Sequence, residues 1–114
     1  MLPNVNRLKK KKDFEKIFKS AKSFKNDFFI LKAVKNNLGL NRFGFVVSQK
    51  VSKKATFRNK VRRRLTEAIK SEAKNIKTGT DLIIIALSGI EKRDFPDIKK
   101  SMNNALNKAK LVII

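Results

Sequence analysis

Between Gln49 and Arg64 the chain carries Lys50, Lys53, Lys54, Arg58, Lys60, Arg62, Arg63 and Arg64, with no acidic residue among them. That is phosphate chemistry. A guanidinium forks two hydrogen bonds onto phosphate oxygens, and the first turn of a helix adds unsatisfied N–H groups that face an anion. Arg58, Asn59, Lys60, Arg62 and Arg63 put four cations and one amide within two turns of the point where helical periodicity starts. A run of like charge is ordinarily a solvated face. Here sixteen residues lack a balancing acid, and 29 Lys+Arg against 9 Asp+Glu leave the whole chain at a formal +20, so the partner expected is a polyanion. Contacts to ~6–10 phosphates would weaken by about 10³–10⁵ between low and moderate salt.

Two further groups could join such a surface. Phe14, Phe18, Phe28 and Phe29 could stack on unpaired bases if exposed, although Phe at helical spacing is ordinarily core. Phe28 and Phe29 are adjacent in an extended stretch and should point to opposite faces. Residues 1–12 read as a basic, largely unstructured arm, with Arg7, Lys9, Lys10, Lys11 and Lys12 adding affinity without specificity.

What is missing limits catalysis. The chain has no His, so a histidine acid–base pair cannot be built, and no Cys, which removes disulfides, thiolate zinc sites and a cysteine nucleophile. The nine carboxylates are scattered, whereas a two-metal nuclease needs them clustered. Asp13 with Glu15, and Asp94 with Asp97, fall at expected helix starts and read as caps and dipole compensation. No metal or cofactor is expected on the protein alone. The longest apolar run, Leu82 to Leu87, has the length of a strand and not of a membrane span, and the first residues lack the apolar core of a signal peptide. The expected location is cytoplasmic, with no membrane and no protein partner.

The elements that must position these groups follow from periodicity. At 114 residues and 41% hydrophobic content the chain is expected to form one domain around one core. Asp13 can cap a short helix with Phe14, Ile17, Phe18 and Ala21 on one side. Residues 24–35 read as extended, and the turn signal at 36–39 leads into a second strand at 43–47, which suggests a hairpin between the two. Thr56 can cap a helix running to about Asn75. On it Phe57, Val61, Leu65, Ala68, Ile69 and Ile76 form the apolar arc, while Asn59, Lys60, Arg62, Arg63, Arg64 and Lys70 take the opposite one. The Ile-rich run from Leu82 to Ala86 reads as a strand buried on both faces. Asp94 can cap a last helix with Pro96 in its first turn and a stripe of Phe95, Ile98, Met102, Ala105, Leu106 and Ala109. The expected architecture is one sheet with the long helices on one face, an α/β (α+β) two-layer sandwich.

The stretch Val47-Ser48-Gln49-Lys50-Val51-Ser52-Lys53-Lys54-Ala55-Thr56-Phe57-Arg58-Asn59-Lys60-Val61-Arg62-Arg63 closely resembles the signature of the bacterial ribonuclease P protein component. There a basic loop enters a helix that opens Arg-Asn-Arg, followed by an aliphatic and two basic residues. Arg7-Leu8-Lys9-Lys10 with Asp13-Phe14 and Ile17-Phe18 resembles the family's first helix, and Asp81-Leu82-Ile83-Ile84-Ile85-Ala86 its last strand. The resemblance spans residues 7–109.

It implies a mixed sheet of about four strands with three helices and a left-handed β–α–β crossover, against the usual right-handed rule. It also implies a partner: a large catalytic RNA, with which the protein forms a ribonucleoprotein endonuclease. That holoenzyme uses magnesium ions to hydrolyse precursor tRNA and release the 5′ leader. Lys50, Lys53, Lys54, Arg58, Asn59, Lys60, Arg62 and Arg63 would face RNA. A cleft lined by Phe14, Phe18, Phe29 and Leu31 would take the single-stranded leader. Three positions depart from the family. Lys60 replaces the motif's second Arg and loses the planar fork, Leu31 falls where the family has a cleft Tyr, and Leu87 where it often has Arg. Other readings are a structural RNA-binding protein, such as a ribosomal protein, and an autonomous nuclease or DNA-compacting protein. Dependence of tRNA 5′ processing on the protein separates the first; RNA cleavage by the protein alone would support the nuclease.

Overall fold

Alternation along the strands and a 3.6-residue stripe along the helices decide how this chain packs. The computed structural model describes residues 6–8, 10–20 and 22–109. Its elements are α1 (Lys11–Ser20), β1 (Lys22–Lys25), β2 (Phe29–Lys35), β3 (Arg42–Val46), α2 (Ala55–Glu72), β4 (Thr80–Ala86) and α3 (Phe95–Lys108), with single 3₁₀ turns at Ala73–Asn75 and Ile90–Lys92. The four strands form one mixed sheet in the order β1-β2-β4-β3. β1 and β4 run antiparallel to β2, and β3 runs parallel to β4, so α2 lies in the crossover between parallel neighbours.

The expected hairpin between residues 28–34 and 43–47 does not form. β4, apolar on both faces, takes the interior place between β2 and β3, and six of its seven residues are buried. The turn after β2 instead carries the chain across the end of β4. Asn36 fixes it, donating to the Leu40 carbonyl (3.0 Å) and to Asp81 (2.7 Å) while its Oδ1 accepts from Leu38 N–H (2.8 Å). The hairpin partner of β2 is β1. Residues 24–35 are therefore not one extended piece: Asn26 breaks them, its Oδ1 accepting the N–H groups of Phe28 (2.8 Å) and Phe29 (2.9 Å).

Strand alternation sorts the sheet's residues onto two faces. Phe29, Leu31, Phe43, Leu82, Ile84 and Ala86 pack with Val61, Leu65, Ala68 and Ile69 of α2 and with Ile98, Met102, Ala105 and Leu106 of α3. The long helices thus share one face, as expected. α1 crosses the other, where Ile17 and Leu8 pack on Ile83 beside Phe14, Val34, Val46 and Ile85.

Helix starts differ from the expected caps. Lys10, not Asp13, provides the first carbonyl of α1, which takes the N–H groups of Asp13 and Phe14; Asp13 lies in the first turn. α2 begins before Thr56, with the Lys54 carbonyl accepting from Phe57 (3.2 Å) and Arg58 (3.1 Å), and its regular turns end at Glu72. Asp94 is the N-cap of α3 in extended conformation, but its side chain makes no capping bond.

Part of the expected unstructured arm is ordered. Asn6 donates to the Asn41 carbonyl (2.6 Å), and Leu8 N–H to the Phe43 carbonyl (2.8 Å) along the outer edge of β3. Residues 1–5 and 9, the expected helix position Ala21, and the apolar stretch 111–114 lie outside the described residues.

One polar cluster ties the sheet's end to α1. Arg42 grips buried Asp81 with two bonds (2.9 and 2.7 Å) and reaches Asp13 at 3.5 Å. The Asp81 hydrogen bond, outweighing desolvation and aided by the Asp81 and Asp13 charges, raises the Arg42 pKa. A raised basic pKa yields stability that is lost only as pH climbs through it, so Arg42 does not release this clamp at neutral or mildly alkaline pH.

Candidate nucleic-acid interface

The basic loop before α2 is held by its backbone, which leaves its side chains outward. Val51 is buried and plugs the loop into the core. Its N–H bonds the Ser48 carbonyl (3.1 Å), Ser88 donates to the Lys50 carbonyl (2.8 Å), and Ser52 Oγ accepts from Lys54 N–H (3.2 Å). Lys50, Lys53 and Lys54 are consequently exposed on a fixed frame.

Arg58 braces the joint between loop and helix. Its Nη1 donates to the carbonyls of Ser52 (3.0 Å) and Lys53 (2.9 Å), so only the rest of its fork is available to an anion. One turn on, Arg62 donates to Asn59 Oδ1 (2.8 Å) and approaches the Val47 carbonyl at 3.5 Å, just past the end of β3. Asn59, Lys60 and Arg63 are exposed.

Among the described residues no carboxylate forms an ion pair with Lys50, Lys53, Lys54, Arg58, Lys60, Arg62 or Arg63, so none of these is neutralised by an acid there. α2 also has no acidic residue in its first turn, whereas α1 has Asp13 and α3 has Asp97. The positive end of α2 is thus left without a compensating acid in its first turn.

A second feature opens on the other face of the sheet. Phe14 and Phe18 of α1 sit with ring centroids 6.5 Å apart. Phe14 rests on β3 because residue 44 is Gly: a Cβ there would lie 2.7 Å from Phe14 Cζ. Phe18 is 43% exposed, and Lys32 Nζ stands 5.9 Å from its ring centre while bonding Ser23 Oγ (2.9 Å). Strand register aligns Lys25, Ile30, Ile85 and Val46 in one row across the sheet. None of the four is fully buried, although β4 is an interior strand. This row is a partly exposed strip of the sheet beside α1, the place of the expected cleft.

Of the four expected cleft residues, the structure brings two to this place. Phe29 and Leu31 are 0% exposed and belong to the core under α2 and α3, on the opposite face. Alternation puts their neighbours Ile30 and Lys32 on the α1 face instead. The residues that sequence reasoning missed are therefore Ile30, Lys32, Val46, Ile85 and Gly44. Parity along β2 could have found the first two once Phe29 was known to be core. Phe28 lies outside the cleft, half-buried with Arg93 5.2 Å from its ring centre.

The ribonuclease P family matches residues 2–110 of the sequence. The chain belongs to the ribonuclease P protein family. The ribonuclease P protein component of a Thermoanaerobacter strain is 38% identical over 111 residues, covering 97% of this chain and 95% of the relative. That of Clostridium acetobutylicum is 36% identical over 110 residues, 95% and 92% of the two chains. Among solved structures, the Staphylococcus aureus RNase P protein superposes with a TM-score of 0.86 at 30% identity, covering 94% of this chain and 97% of that one. The Thermotoga maritima RNase P protein gives 0.81 at 32% identity, with 90% and 96% covered. The mixed four-stranded sheet with three helices is thus the ribonuclease P protein fold. Among the described residues no three acidic side chains gather at one point, and no helix is long and apolar enough to cross a membrane.

Proposed function

We propose that this chain binds the catalytic RNA of ribonuclease P through the basic loop and the start of α2, and receives the single-stranded 5′ leader of precursor tRNA in the cleft beside α1. The observation that carries the reading is the placement of two surfaces side by side. Arg62, in the un-neutralised basic arc, reaches the residue that follows Val46, and Val46 ends the open row of the cleft floor. Lys50, Lys53, Lys54, Arg58, Asn59, Lys60 and Arg63 surround that junction on the loop and helix. Charge there suits structured RNA, whose phosphates need no base recognition. The cleft differs: an apolar floor of Ile30, Ile85 and Val46, an exposed Phe18 ring, and Lys25 and Lys32 at its side suit unstacked bases and their phosphates.

On this reading the protein is not the catalyst. The chain has no His from which to build a histidine acid–base pair, and the proposal assigns both the acid–base chemistry and the magnesium ions to the RNA. The protein's own work is to hold the leader and offset phosphate repulsion where the two RNAs meet. The deciding experiment is cleavage of a precursor tRNA by ribonuclease P RNA at low magnesium, with and without the protein. Restored cleavage at the mature 5′ end, with no cleavage by the protein alone, is the expected outcome. RNA binding without any change in cleavage would reduce the chain to a general RNA-binding protein.

A further inference from the structure

Phe57 is out of place for a core residue. It stands at i, i+4 and i+8 with Val61 and Leu65 on the inward stripe of α2, yet Val61 is 2% and Leu65 0% exposed while Phe57 is 48% exposed. The first turn of α2 overhangs the core, and the stripe's first member projects beyond it. Lys54 Nζ lies 5.4 Å from its ring centre. Lys53, Lys54 and Lys60, all exposed, and Arg58 stand within four residues of it, and no acid in the described chain pairs with any of them.

We propose that Phe57 is a stacking site for one unpaired nucleobase of the RNA that the basic end of α2 binds. The inference rests on the RNA-binding reading above and adds a residue that the basic motif itself does not predict. An aromatic ring with cations on its flanks is the arrangement that takes a base on its face and the adjoining phosphates on its rim, with little preference for base identity. A protein partner fits the surroundings less well. The interface core it needs is broad and apolar, whereas Phe57 is a single ring next to Lys53, Lys54, Thr56 and Lys60. The ring is separate from the Phe14–Phe18 cleft, which α1 forms on the other face of the sheet.

The chain has no Trp and no Tyr, so Phe57→Trp introduces a single reporter. On titration with ribonuclease P RNA its emission should be strongly quenched, saturating at equimolar RNA, as stacking on a base requires. Phe57→Leu keeps an apolar side chain of similar reach but has no π face, and should bind the RNA about 5- to 100-fold more weakly than wild type. Its unfolding midpoint without RNA should stay near wild type, which separates stacking from packing. Unquenched emission, or wild-type affinity in Phe57→Leu, overturns the proposal. If Arg63→Ala weakens binding in the same assay while Phe57→Leu does not, the stacking site fails and the RNA-binding reading survives. If wild-type protein does not bind the RNA, both fall together.

Discussion

On β2, Phe29 and Leu31 are 0% exposed beneath α2 and α3, whereas Ile30 and Lys32, one residue along the same strand, are only half-buried on the side that α1 crosses. The contrast repeats on β4, where Ile84 is sealed and Ile85 is not. Its cause is coverage. Two helices of 18 and 14 residues lie over one face, and a single helix of 10 residues over the other. A helix with its side chains is about 10 Å wide, while four strands spaced about 4.8 Å apart present roughly 15–20 Å. Two helices close such a face and one cannot. The closed face holds the fold together; the open one is where the proposed function places the leader.

The comparison breaks first if the two faces respond alike to truncation. Phe29→Ala should destabilise the protein by about 3–5 kcal/mol, since it empties a sealed site. Ile85→Ala should cost about 1–2 kcal/mol, because water takes the place of the lost methyl groups instead of a void. Urea unfolding of the two variants tests this directly, and equal losses would mean that the α1 face is as tightly packed as the other. Leader binding should show the reverse order: reduced in Ile85→Ala and retained by whatever fraction of Phe29→Ala is folded.

A second variant sharpens what keeps the open face shaped. Gly44→Ala places a methyl 2.7 Å from Phe14 Cζ on a strand backbone that cannot retreat, so the ring and α1 must shift. The expected cost is about 1–3 kcal/mol. Shortening the ring relieves the clash, so the double variant Gly44→Ala with Phe14→Leu should lose less than the sum of the two single changes. Strict additivity would show that Gly44 is not the seat of Phe14.

Phe18→Ala comes next in size for stability. The ring is 43% exposed, so its loss should cost about 1 kcal/mol or less and leave α1 in place through Ile17. Affinity for a single-stranded leader should nevertheless fall about 5- to 100-fold, the usual effect of removing one base-stacking ring. A fluorescence-anisotropy titration with precursor tRNA, compared with leaderless tRNA, isolates that loss. An equal effect on both RNAs would move Phe18 from the leader cleft to a general contact.

Local pattern made some of this legible in the sequence. The basic arc of α2, its buried stripe from Val61 to Ile69, the stripe of α3 and the doubly buried β4 all follow from period and composition, and the structure has each of them. The rest depended on non-local placement. Strand order was not readable, because nothing in residues 36–40 states that β4 will separate β2 from β3. The parity of β2 then decided which side of that strand faced α1, and the resemblance, which put Phe29 and Leu31 in the cleft, did not carry that parity over to this chain. The short Asn26 turn had a recognisable side chain but sat inside an otherwise extended run. Phe57 matches the helical period of its buried neighbours, and only the point where the core ends leaves it exposed.

The smallest effect on the fold should come from Arg63→Ala, and for that reason it isolates charge from structure. Arg63 is exposed on the arc opposite the core stripe and has no carboxylate partner among the described residues, so the unfolding midpoint should not move. On the proposed function its whole contribution lies in phosphate contact. Binding of ribonuclease P RNA should weaken by a similar factor for any RNA that fills the same surface, and the slope of log affinity against log salt should shrink by about one. Phe18→Ala should leave that slope unchanged while lowering affinity, because stacking releases no counterions. If the two variants change the slope equally, the charged end of α2 and the open face of the sheet are not separate binding surfaces but one.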